Sequence, residues 1–320
     1  MEDCRPNFSE TLRPICVPED LVQSERRRMQ FHHLAGIYFS TFLKWIILAD
    51  VLWIISFLGF ASKRKRYKTN PKLHHLIYNP IDKPKICVII PAYNEERRIG
   101  RTIEALVEFL NKQSYTWEIV VVENASTDLT AKEVTKWADQ VDGIKLLYQR
   151  LAGKGRAVKR GMLAATGELR FMYDADMSMR PDFIPTFLSS LNHGYDVVIG
   201  SRQIKHARRI GEPPGRHVMG RVFNRVVSVA AVRGFYDTQC GFKCFRGEVA
   251  DELFQMQHTE GFAFDVELLF LANKRGFSVI EIPIDWYYNE LSKVRLIRHS
   301  FEMLRDTLLV RWRDLRGMYG

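Results

Sequence analysis

The sequence predicts an α/β fold in which helices cover a doubly wound parallel sheet. Three observations lead to this prediction. From residue 85 onward, short apolar runs alternate with segments whose apolar residues recur at helical spacing. The apolar runs are continuous, as in parallel strands that are buried on both faces. Polar and acidic residues follow several of these runs directly, at the edge where open parallel sheets bind their ligands.

The predicted strands and helices follow one another closely along the chain. Strands are expected at 86–90, 117–122, 144–148, 169–173, 197–200 and 279–284. Helices are expected at 99–110, 131–138, 155–165, 218–232 and 264–273, with a further helix that begins near Pro181. Because strands and helices alternate, neighbouring strands are expected to run parallel, with helices on both faces of the layer.

The chain ahead of the predicted sheet divides into three segments. They are a polar tail at 1–30, a membrane anchor at 31–62 and a basic linker at 63–84. Residues 37–61 would reach across a bilayer core at about 1.5 Å per residue. Lys44 and Asp50 each cost roughly 2.5–3.5 kcal/mol near the bilayer centre, which the apolar residues offset only narrowly. A spanning helix is the preferred interpretation, while a segment lying in the interface or a hairpin against another subunit stays open.

The flanking charges predict the orientation of this anchor. The basic residues at 63–68 outweigh the three arginines that precede the anchor segment. By the positive-inside tendency, the predicted sheet is expected to face the cytoplasm. The sequence leaves open whether the membrane is that of the endoplasmic reticulum or a prokaryotic plasma membrane.

The net charge of +10 is concentrated in basic segments at 63–72, 202–233 and 291–320. Such patches predict an anionic partner: nucleic acid, an anionic membrane or a phosphorylated substrate. Nucleic acid is the weakest of the three, because the sequence has no helix-turn-helix, zinc-finger or RNA-binding signature. The five cysteines have no repeated spacing, so neither a disulfide framework nor a zinc site is expected.

Two carboxylates mark the predicted strand at 169–173, since Asp174 and Asp176 follow it directly. An Asp-x-Asp pair at a strand end can bind a hard divalent ion, whose other ligands are water and substrate phosphates. For an isolated pair, capping of the next helix is the simpler interpretation. Polar clusters at 91–95 and 123–128 follow two other strands, however, and capping does not predict three clusters at one edge.

Two further segments suit anionic ligands. Gly153-Lys-Gly155 opens a predicted helix, where free N–H groups and Lys154 would suit a phosphate, although an ordinary loop is the simpler interpretation. Residues 296–315 have apolar side chains at helical spacing among arginines. This pattern favours a helix lying on an anionic membrane surface over an amphipathic helix docked on the domain.

Five motifs of the chain form a recognisable set, namely Pro91-Ala-Tyr-Asn-Glu95, the segment 123–128, Gly153-Lys-Gly155, Asp174-Ala-Asp-Met-Ser178 and Gly200-Ser-Arg202. In these motifs the chain resembles the family 2 glycosyltransferases, whose catalytic domain has a GT-A (Rossmann-like) fold. Motifs at 237–243, 262–268, 292–293 and 311–317 more specifically resemble the dolichyl-phosphate β-glucosyltransferases and their polyprenyl-phosphate relatives. The resemblance implies a GT-A nucleotide-sugar-binding domain at 85–290, followed by an acceptor loop and an amphipathic membrane-surface helix at 291–320.

The resemblance implies a nucleotide pocket at the first two strand ends. It would be lined by Pro91, Tyr93, Glu95, Glu123 and Asn124. The family usually has Asp-Asp where this chain has Glu123-Asn124. An asparagine can still hydrogen-bond a uracil edge, but this departure leaves the identity of the nucleotide open.

The other implied site residues surround the diphosphate and the acceptor. Asp174 and Asp176 would hold Mg²⁺ or Mn²⁺ against the donor diphosphate. Substrate contacts are implied for Lys154, Ala175, Ser178, Arg202, Arg216 and Lys293. The alternatives are a solvated basic face for Arg216 and a plain surface lysine for Lys293. The implied catalytic residues are Asp174, Asp176, Arg202, Lys293 and Asp265, the last in a positioning role, because an anionic acceptor phosphate needs no base.

The activity that the resemblance implies is inverting transfer of glucose from UDP-glucose to a polyprenyl or dolichyl phosphate. The products would be the lipid-phosphate β-glucose and UDP. Two alternatives stay open, a GDP-mannose-dependent polyprenyl-phosphate mannosyltransferase and a membrane-tethered nucleotide-sugar-binding protein without turnover. The expected partners are the nucleotide sugar, the lipid phosphate and a membrane, with no nucleic acid. The sequence leaves the oligomeric state open.

Overall fold

A computed structural model describes the protein over residues 84–213, 232, 234–289 and 296–320, with side chains in the last segment from residue 302. The polar tail, the anchor segment and residues 63–83 of the linker lie outside the described residues. So do the predicted site residues Arg216 and Lys293, and nearly all of the predicted helix at 218–232. Where the chain is described, none of its helices has the length and apolarity needed to cross a bilayer.

A mixed sheet forms the centre of the described fold. Its strands are β1 (Ile86–Ala92), β2 (Trp117–Asn124), β3 (Ile144–Gln149), β4 (Leu169–Met172), β5 (Val197–Ser201), β7 (Lys243–Arg246) and β8 (Val279–Pro283). Within the described residues these seven strands lie in the order β3-β2-β1-β4-β7-β5-β8. A separate parallel ribbon pairs β6 (Arg208–Ile210) with β9 (Asp285–Tyr287).

The helices of the described chain connect and follow these strands. They are α1 (Ile99–Leu110), α2 (Thr130–Ala138), α3 (Lys154–Ala164), α4 (Ile184–Asn192), α5 (Gly247–Met256), α6 (Phe264–Arg275) and α7 (Leu296–Leu315). A short 3₁₀ helix, Pro181–Phe183, precedes α4. The bounds of α7 are those that the helical spacing of the sequence predicts.

The sheet is buried on both faces, which explains its continuous apolar strands. Successive side chains of a strand point to opposite faces. In β1, Cys87 and Ile89 pack in one apolar cluster with residues of α3, α5 and α6. Val88 and Ile90 pack in a second cluster with residues of α1, α2 and α4. Both faces of the central strands therefore contribute to the hydrophobic core.

The predicted α/β class is confirmed, and β1 pairs in parallel with both β2 and β4. The expectation of a wholly parallel sheet is wrong, because β7 runs antiparallel to its neighbours β4 and β5. Charged residues at both ends of β7, Lys243 and Arg246, interrupt its apolar run, so the sequence pattern does not reveal this strand. Helix α5 and the short ribbon strands β6 and β9 were not predicted from the sequence pattern either.

The topology brings three polar clusters to one edge of the sheet. The carboxyl ends of the parallel neighbours β2, β1 and β4 lie side by side. After each of them one non-glycine residue has a left-handed backbone: Asn94 (φ 54°), Ala125 (φ 58°) and Met177 (φ 56°). This conformation is uncommon for non-glycine residues and occurs preferentially at functional sites. The chain therefore turns sharply at all three strand ends.

Two helix glycines allow a stability test of this packing. A Cβ at Gly161 of α3 would lie 2.4 Å from Cγ2 of Ile89 and 2.8 Å from Cγ2 of Val122, so this helix lies directly on the sheet. We expect Gly161→Ala to lower the free energy of unfolding by about 1–3 kcal/mol, because overpacking outweighs the gain in helix propensity. Gly100 of α1 is the control, since a Cβ there approaches only Trp137 Nε1, at 3.5 Å. Denaturant unfolding of Gly100→Ala should show no loss, and an equal loss in both variants would contradict the packing argument.

Candidate active site

The carboxylate of Asp174 lies just after β4, beside cationic side chains. Nζ of Lys154, the first residue of α3, donates a hydrogen bond to Oδ1 of Asp174 at 2.7 Å. Burial alone would raise the pKa of Asp174, but the nearby cations, above all Lys154, outweigh burial and hold this pKa below its ordinary value. The other two cations are Lys243 and Arg202. Burial lowers the pKa of Lys154, but nearby carboxylates, led by Asp174, raise this pKa by more than burial lowers it. The ion pair therefore stays charged.

A glycine backbone lies against the other side of the Asp174 carboxylate. A Cβ at Gly241 would lie only 1.7 Å from Oδ2 of Asp174, so no other residue fits at this position without displacing the carboxylate. Gly241 belongs to the segment between Asp237 and Lys243, just ahead of β7. Asp174 is therefore enclosed between the start of α3 and the loop that precedes the antiparallel strand.

The loop that carries Asp176 is fixed through its backbone. Oδ1 of Asp176 accepts the N–H of Ser178 at 3.0 Å, and the Asp176 carbonyl accepts Nδ2 of Asn289 at 3.2 Å. The carbonyl of the buried Ala175 accepts the hydroxyl of Thr102 from α1 at 2.8 Å. These contacts hold the half-buried Asp176 carboxylate at the same sheet edge as Asp174.

The loops that follow β1 and β2 are joined by hydrogen bonds. The N–H of Asn94 donates to Oγ of Ser126 at 2.9 Å, and Oδ1 of Asn94 accepts the N–H of Thr127 at 2.8 Å. The carboxylate of Glu123, buried at the end of β2, accepts the N–H of Ser126. Ser126 therefore links the two loops.

The end of β2 is also tied to the start of α3. Oδ1 of Asn124 accepts the N–H of Gly153 at 3.0 Å, one residue before Lys154. Lys154 in turn reaches Asp174 after β4. The polar clusters at the three strand ends therefore form one connected edge, as their positions in the sequence predict.

The remaining residues of the predicted nucleotide pocket differ in exposure. Glu95 is buried, and its carboxylate accepts two hydrogen bonds from the guanidinium of Arg98 at 2.6 and 2.7 Å. Its N–H donates to Oγ1 of Thr130 at 2.7 Å. Pro91 is half-buried in β1, whereas 42% of Tyr93 is exposed. The aromatic ring of Tyr93 is therefore accessible to a ligand, while Glu95 shapes the turn.

Arg202, which follows β5, is held by a fully buried carboxylate. Its Nε and Nη2 donate to the two carboxylate oxygens of Asp237 at 2.7 and 2.8 Å, and its own N–H donates to Oδ2 at 2.9 Å. The carboxylate of Glu281 accepts the N–H of Asp237 at 2.9 Å. Burial alone would raise the pKa of Asp237, but the guanidinium of Arg202 outweighs burial and lowers it. The Arg202 guanidinium also lies 5.5 Å from the ring centroid of Trp286.

Asp265, near the start of α6, forms a buried ion pair. Nζ of the fully buried Lys243 lies 2.5 Å from Oδ1 of Asp265 and 2.5 Å from the carbonyl oxygen of Cys240. Burial raises the pKa of Asp265, and the lysines Lys243 and Lys154 offset this only in part. Because Lys243 also lowers the pKa of Asp174, its ammonium lies close enough to act on that carboxylate. The positioning role of Asp265 stays a prediction.

The carboxylates of Asp174 and Asp176 fit a divalent cation whose shell is completed by a substrate. Within the described residues, no group of three or more His, Cys, Asp and Glu side chains is arranged to hold a metal ion. Mg²⁺ is commonly bound by one or two carboxylates together with waters and substrate phosphates, so two carboxylates suffice. Cations around the carboxylates would in addition attract an anionic ligand. The edge is therefore suited to a phosphorylated substrate with a divalent ion.

The structure brings together most of the residues that the sequence predicts for the site. Those at the common edge are Pro91, Tyr93, Glu95, Glu123, Asn124, Lys154, Asp174, Ala175, Asp176 and Ser178. Arg202 and Asp265 lie near this edge as well. Arg202 lowers the pKa of Asp174, and the charges of Lys154 and Asp174 act on the pKa of Asp265. Sequence reasoning assigned no role to Lys243, Asp237 or Gly241. They belong to the motif at 237–243, which was a signal for their importance, but periodicity does not reveal their partners.

Comparison with known sequences identifies the family of the chain. Residues 87–254 match the family described as glycosyl transferase family 2. A dolichyl-phosphate beta-glucosyltransferase of Trichomonas vaginalis is 36% identical over 247 residues, which cover 72% of this chain and 76% of that protein. A dolichyl-phosphate beta-glucosyltransferase of Dictyostelium discoideum is 34% identical over 255 residues, which cover 75% of this chain and 78% of that protein.

Solved structures show a similar fold. Glucosyl-3-phosphoglycerate synthase from Mycobacterium tuberculosis, crystallised with Mn²⁺, UDP-glucose and phosphoglyceric acid, superimposes with a TM-score of 0.56. The sequence identity is 17%, and the match covers 71% of this chain and 79% of the synthase. This similarity supports the predicted GT-A-like α/β fold and carries no conclusion about the substrate.

The Arg202–Asp237 pair predicts a pH-dependent loss of stability. Removing one partner of a buried pair leaves the other charge uncompensated, so we expect Asp237→Asn to lower the free energy of unfolding by about 3–5 kcal/mol at neutral pH. Because Arg202 lowers the pKa of Asp237, the pair stabilises the fold fully above the ordinary aspartate pKa of about 3.9. The contribution of the pair is lost as the pH falls through the lower pKa that Asp237 has in the folded state. The difference in free energy of unfolding between wild type and Asp237→Asn should therefore become smaller in acid.

The control for this measurement is Asp285→Asn. Asp285 pairs with Arg208, whose side chain is 71% exposed, and exposed pairs contribute little. Denaturant unfolding should therefore show a much smaller loss for this variant. Equal losses in the two variants, or a loss in Asp237→Asn that does not change with pH, would contradict the role given to the buried pair.

Proposed function

The chain belongs to glycosyl transferase family 2 and is a glycosyltransferase, and we propose that it transfers glucose from UDP-glucose to dolichyl phosphate. The products would be dolichyl-phosphate β-glucose and UDP. One observation carries the proposal: relatives that are more than 30% identical over about three quarters of their own length are named dolichyl-phosphate beta-glucosyltransferase. The resemblance of the motifs at 237–243 and 262–268 points to the same activity.

The charges of the site suit a reaction between two phosphorylated substrates. Lys154, Lys243 and Arg202 would offset the negative charge of the donor diphosphate and of the acceptor phosphate. The attacking phosphate oxygen is already anionic at neutral pH, so the reaction needs no general base. A carboxylate that is paired with Lys243, as Asp265 is, therefore suits this chemistry. Much of the rate would come from alignment of the two substrates and from charge stabilisation.

Asp174 and Asp176 would hold the divalent ion, Mg²⁺ or Mn²⁺, at the donor diphosphate. When bound, such an ion neutralises the charge that builds up on the departing nucleoside diphosphate. Lys154 would lie beside it, since its ammonium donates to Asp174. Tyr93 and the polar residues Glu123 and Asn124 would take the nucleoside at the neighbouring strand ends.

The acceptor lipid would bring the enzyme to a membrane. Helix α7 exposes Leu309, Trp312 and Leu315, which are three residues apart, and the Arg316 guanidinium lies 4.6 Å from the ring centroid of Trp312. Apolar side chains among arginines are typical of a helix on an anionic membrane surface. Val310, on the opposite side of α7, is fully buried, so the helix is also docked on the domain. The basic flank of the predicted anchor supports a catalytic domain on the cytoplasmic side.

A transfer assay tests the proposed substrates. Purified full-length protein in detergent is incubated with a short polyprenyl phosphate, Mg²⁺ or Mn²⁺, and labelled UDP-glucose or GDP-mannose. We expect label in the organic phase from UDP-glucose, and none after chelation of the metal. Label from GDP-mannose instead would exclude UDP-glucose as the donor. No transfer from either donor would overturn the whole proposal. Tight nucleotide-sugar binding without any transfer would then favour the binding protein considered as an alternative.

The same assay tests the carboxylates. We expect Asp176→Asn to lower kcat by about 100-fold or more, because metal-ion catalysis is worth several kcal/mol of barrier. Asp182→Asn is the matched control, since Asp182 is exposed and lies only six residues further along the chain. It should keep wild-type kcat, whereas full activity of Asp176→Asn would exclude Asp176 as a metal ligand.

A further inference from the structure

A cavity of about 380 Å³ lies beside the carboxylate edge. Its walls come from three parts of the chain: helix α7, the segment 258–262 that leads into α6, and the start of α3. The side chains that matter below are Lys154, Phe262, Met303, Leu309 and Arg313. Cavities of this size are typical of small-molecule sites, which combine an apolar lining with a few polar groups.

Lys154 joins this cavity to the carboxylate edge. The residue lines the cavity, and its ammonium donates to Oδ1 of Asp174 at 2.7 Å. A ligand that fills the cavity therefore ends next to the place where the donor diphosphate would lie. The cavity is thus positioned for the second substrate of the proposed reaction.

The wall formed by the segment 258–262 is held by the buried carboxylate of Glu267. This carboxylate accepts the N–H groups of His258, at 3.1 Å, and of Thr259, at 2.6 Å. It also accepts the hydroxyl of Tyr319, near the C-terminus, at 2.5 Å. Arg313 of α7 lies 3.6 Å from the same carboxylate, and its Nη1 donates to Oγ1 of Thr259 at 3.2 Å. The end of α7 and this wall are therefore joined through Glu267.

The same segment is packed tightly against the start of α3. A Cβ at Gly153 would lie 2.7 Å from the carbonyl oxygen of Glu260, and one at Gly155 would lie 2.5 Å from that of Thr259. Nε2 of Gln257 donates to the carbonyl of Gly155 at 3.0 Å. The two glycines on either side of Lys154 thus let the wall approach closely, and the cavity is preformed.

The lining combines charged and apolar side chains, and its basic residues are Lys154, Arg305 and Arg313. The lining has three acidic residues, Glu260, Glu302 and Asp306, and of these Glu260 is paired with Arg156 and Asp306 with Arg305. The apolar residues of the lining are Phe262, Met303 and Leu309. Among the described side chains of α7, from residue 302 onward, Leu309 is also the first exposed apolar residue, so the apolar lining continues onto the outer surface of the helix.

We propose that this cavity receives the phosphate end of the lipid acceptor. The phosphate would lie towards Lys154 and Arg313, and the first isoprene units would pack against Phe262, Met303 and Leu309. The rest of the chain would leave along the exposed apolar residues of α7 towards the bilayer. This inference rests on the proposed function, because it takes the acceptor to be a prenyl phosphate.

Narrowing the cavity tests the inference. Leu309→Trp adds bulk inside the cavity, so we expect the KM for a short polyprenyl phosphate to rise at least about tenfold, since hydrophobic pockets discriminate by factors of this size. The dissociation constant of UDP-glucose should stay unchanged. Leu163→Trp is the matched control, because Leu163 of α3 has nearly the same exposure, 38% against 36%, and does not line the cavity. Its KM should match that of the wild type.

A binding measurement covers the case in which Leu309→Trp folds poorly. In a variant with Leu309→Cys and with Cys4 and Cys16 changed to serine, a maleimide should label residue 309, since the described cysteines Cys87, Cys240 and Cys244 are buried. Short polyprenyl phosphate should slow this labelling, and should leave unchanged the labelling of the corresponding Leu163→Cys variant.

The outcomes separate this inference from the proposed function. If the wild type transfers glucose to prenyl phosphate while Leu309→Trp behaves like Leu163→Trp, the cavity is not the acceptor site and the proposed function stands. Labelling of the Leu309→Cys variant that the lipid does not slow would likewise exclude the cavity as the acceptor site. If the wild type transfers glucose to no prenyl phosphate, the proposed function and the inference both fall.

Discussion

The described site depends on a single carboxylate, Asp174, which must stay ionised at a sheet edge where burial opposes its charge. Lys154 contributes most to keeping it ionised, from the start of α3 at 2.7 Å. Gly241 lets the backbone ahead of β7 approach the other side of the carboxylate, because it has no Cβ. Three separate parts of the chain are therefore held in place around one charge.

The two cations that, after Lys154, lower the pKa of Asp174 each form an ion pair with a buried carboxylate. Lys243 with Asp265, and Arg202 with Asp237, keep two cations near Asp174 while their partners are buried. Burying an ion pair costs desolvation energy that good geometry only partly offsets, so such pairs are weak evidence for stability. Here they fix the Lys243 ammonium and the Arg202 guanidinium close enough to Asp174 to lower its pKa.

The C-terminal helix takes part in the same arrangement. Glu267 ties Tyr319 and the segment 258–260 together, and that segment packs on the glycines beside Lys154. Residues that lie more than 150 positions apart in the sequence thereby share one structural unit. Helix α7, for which we propose a membrane-surface position, is connected through this unit to the lysine that contacts Asp174.

The sequence by itself determined the α/β class, the strands and helices up to β5, the later elements α6, β8 and α7, and the edge that carries Asp174 and Asp176. It could do so because burial on both faces imposes a continuous apolar run on each local segment, and because parallel strands end at a common edge. Only the tertiary structure decided the antiparallel position of β7, the pairing of Lys243 with Asp265, and the cavity beside Lys154. These depend on contacts between distant residues. From its local sequence, a charged residue such as Lys243 is expected at the surface. Its burial becomes favourable only because the fold places the carboxylate of Asp265 beside it.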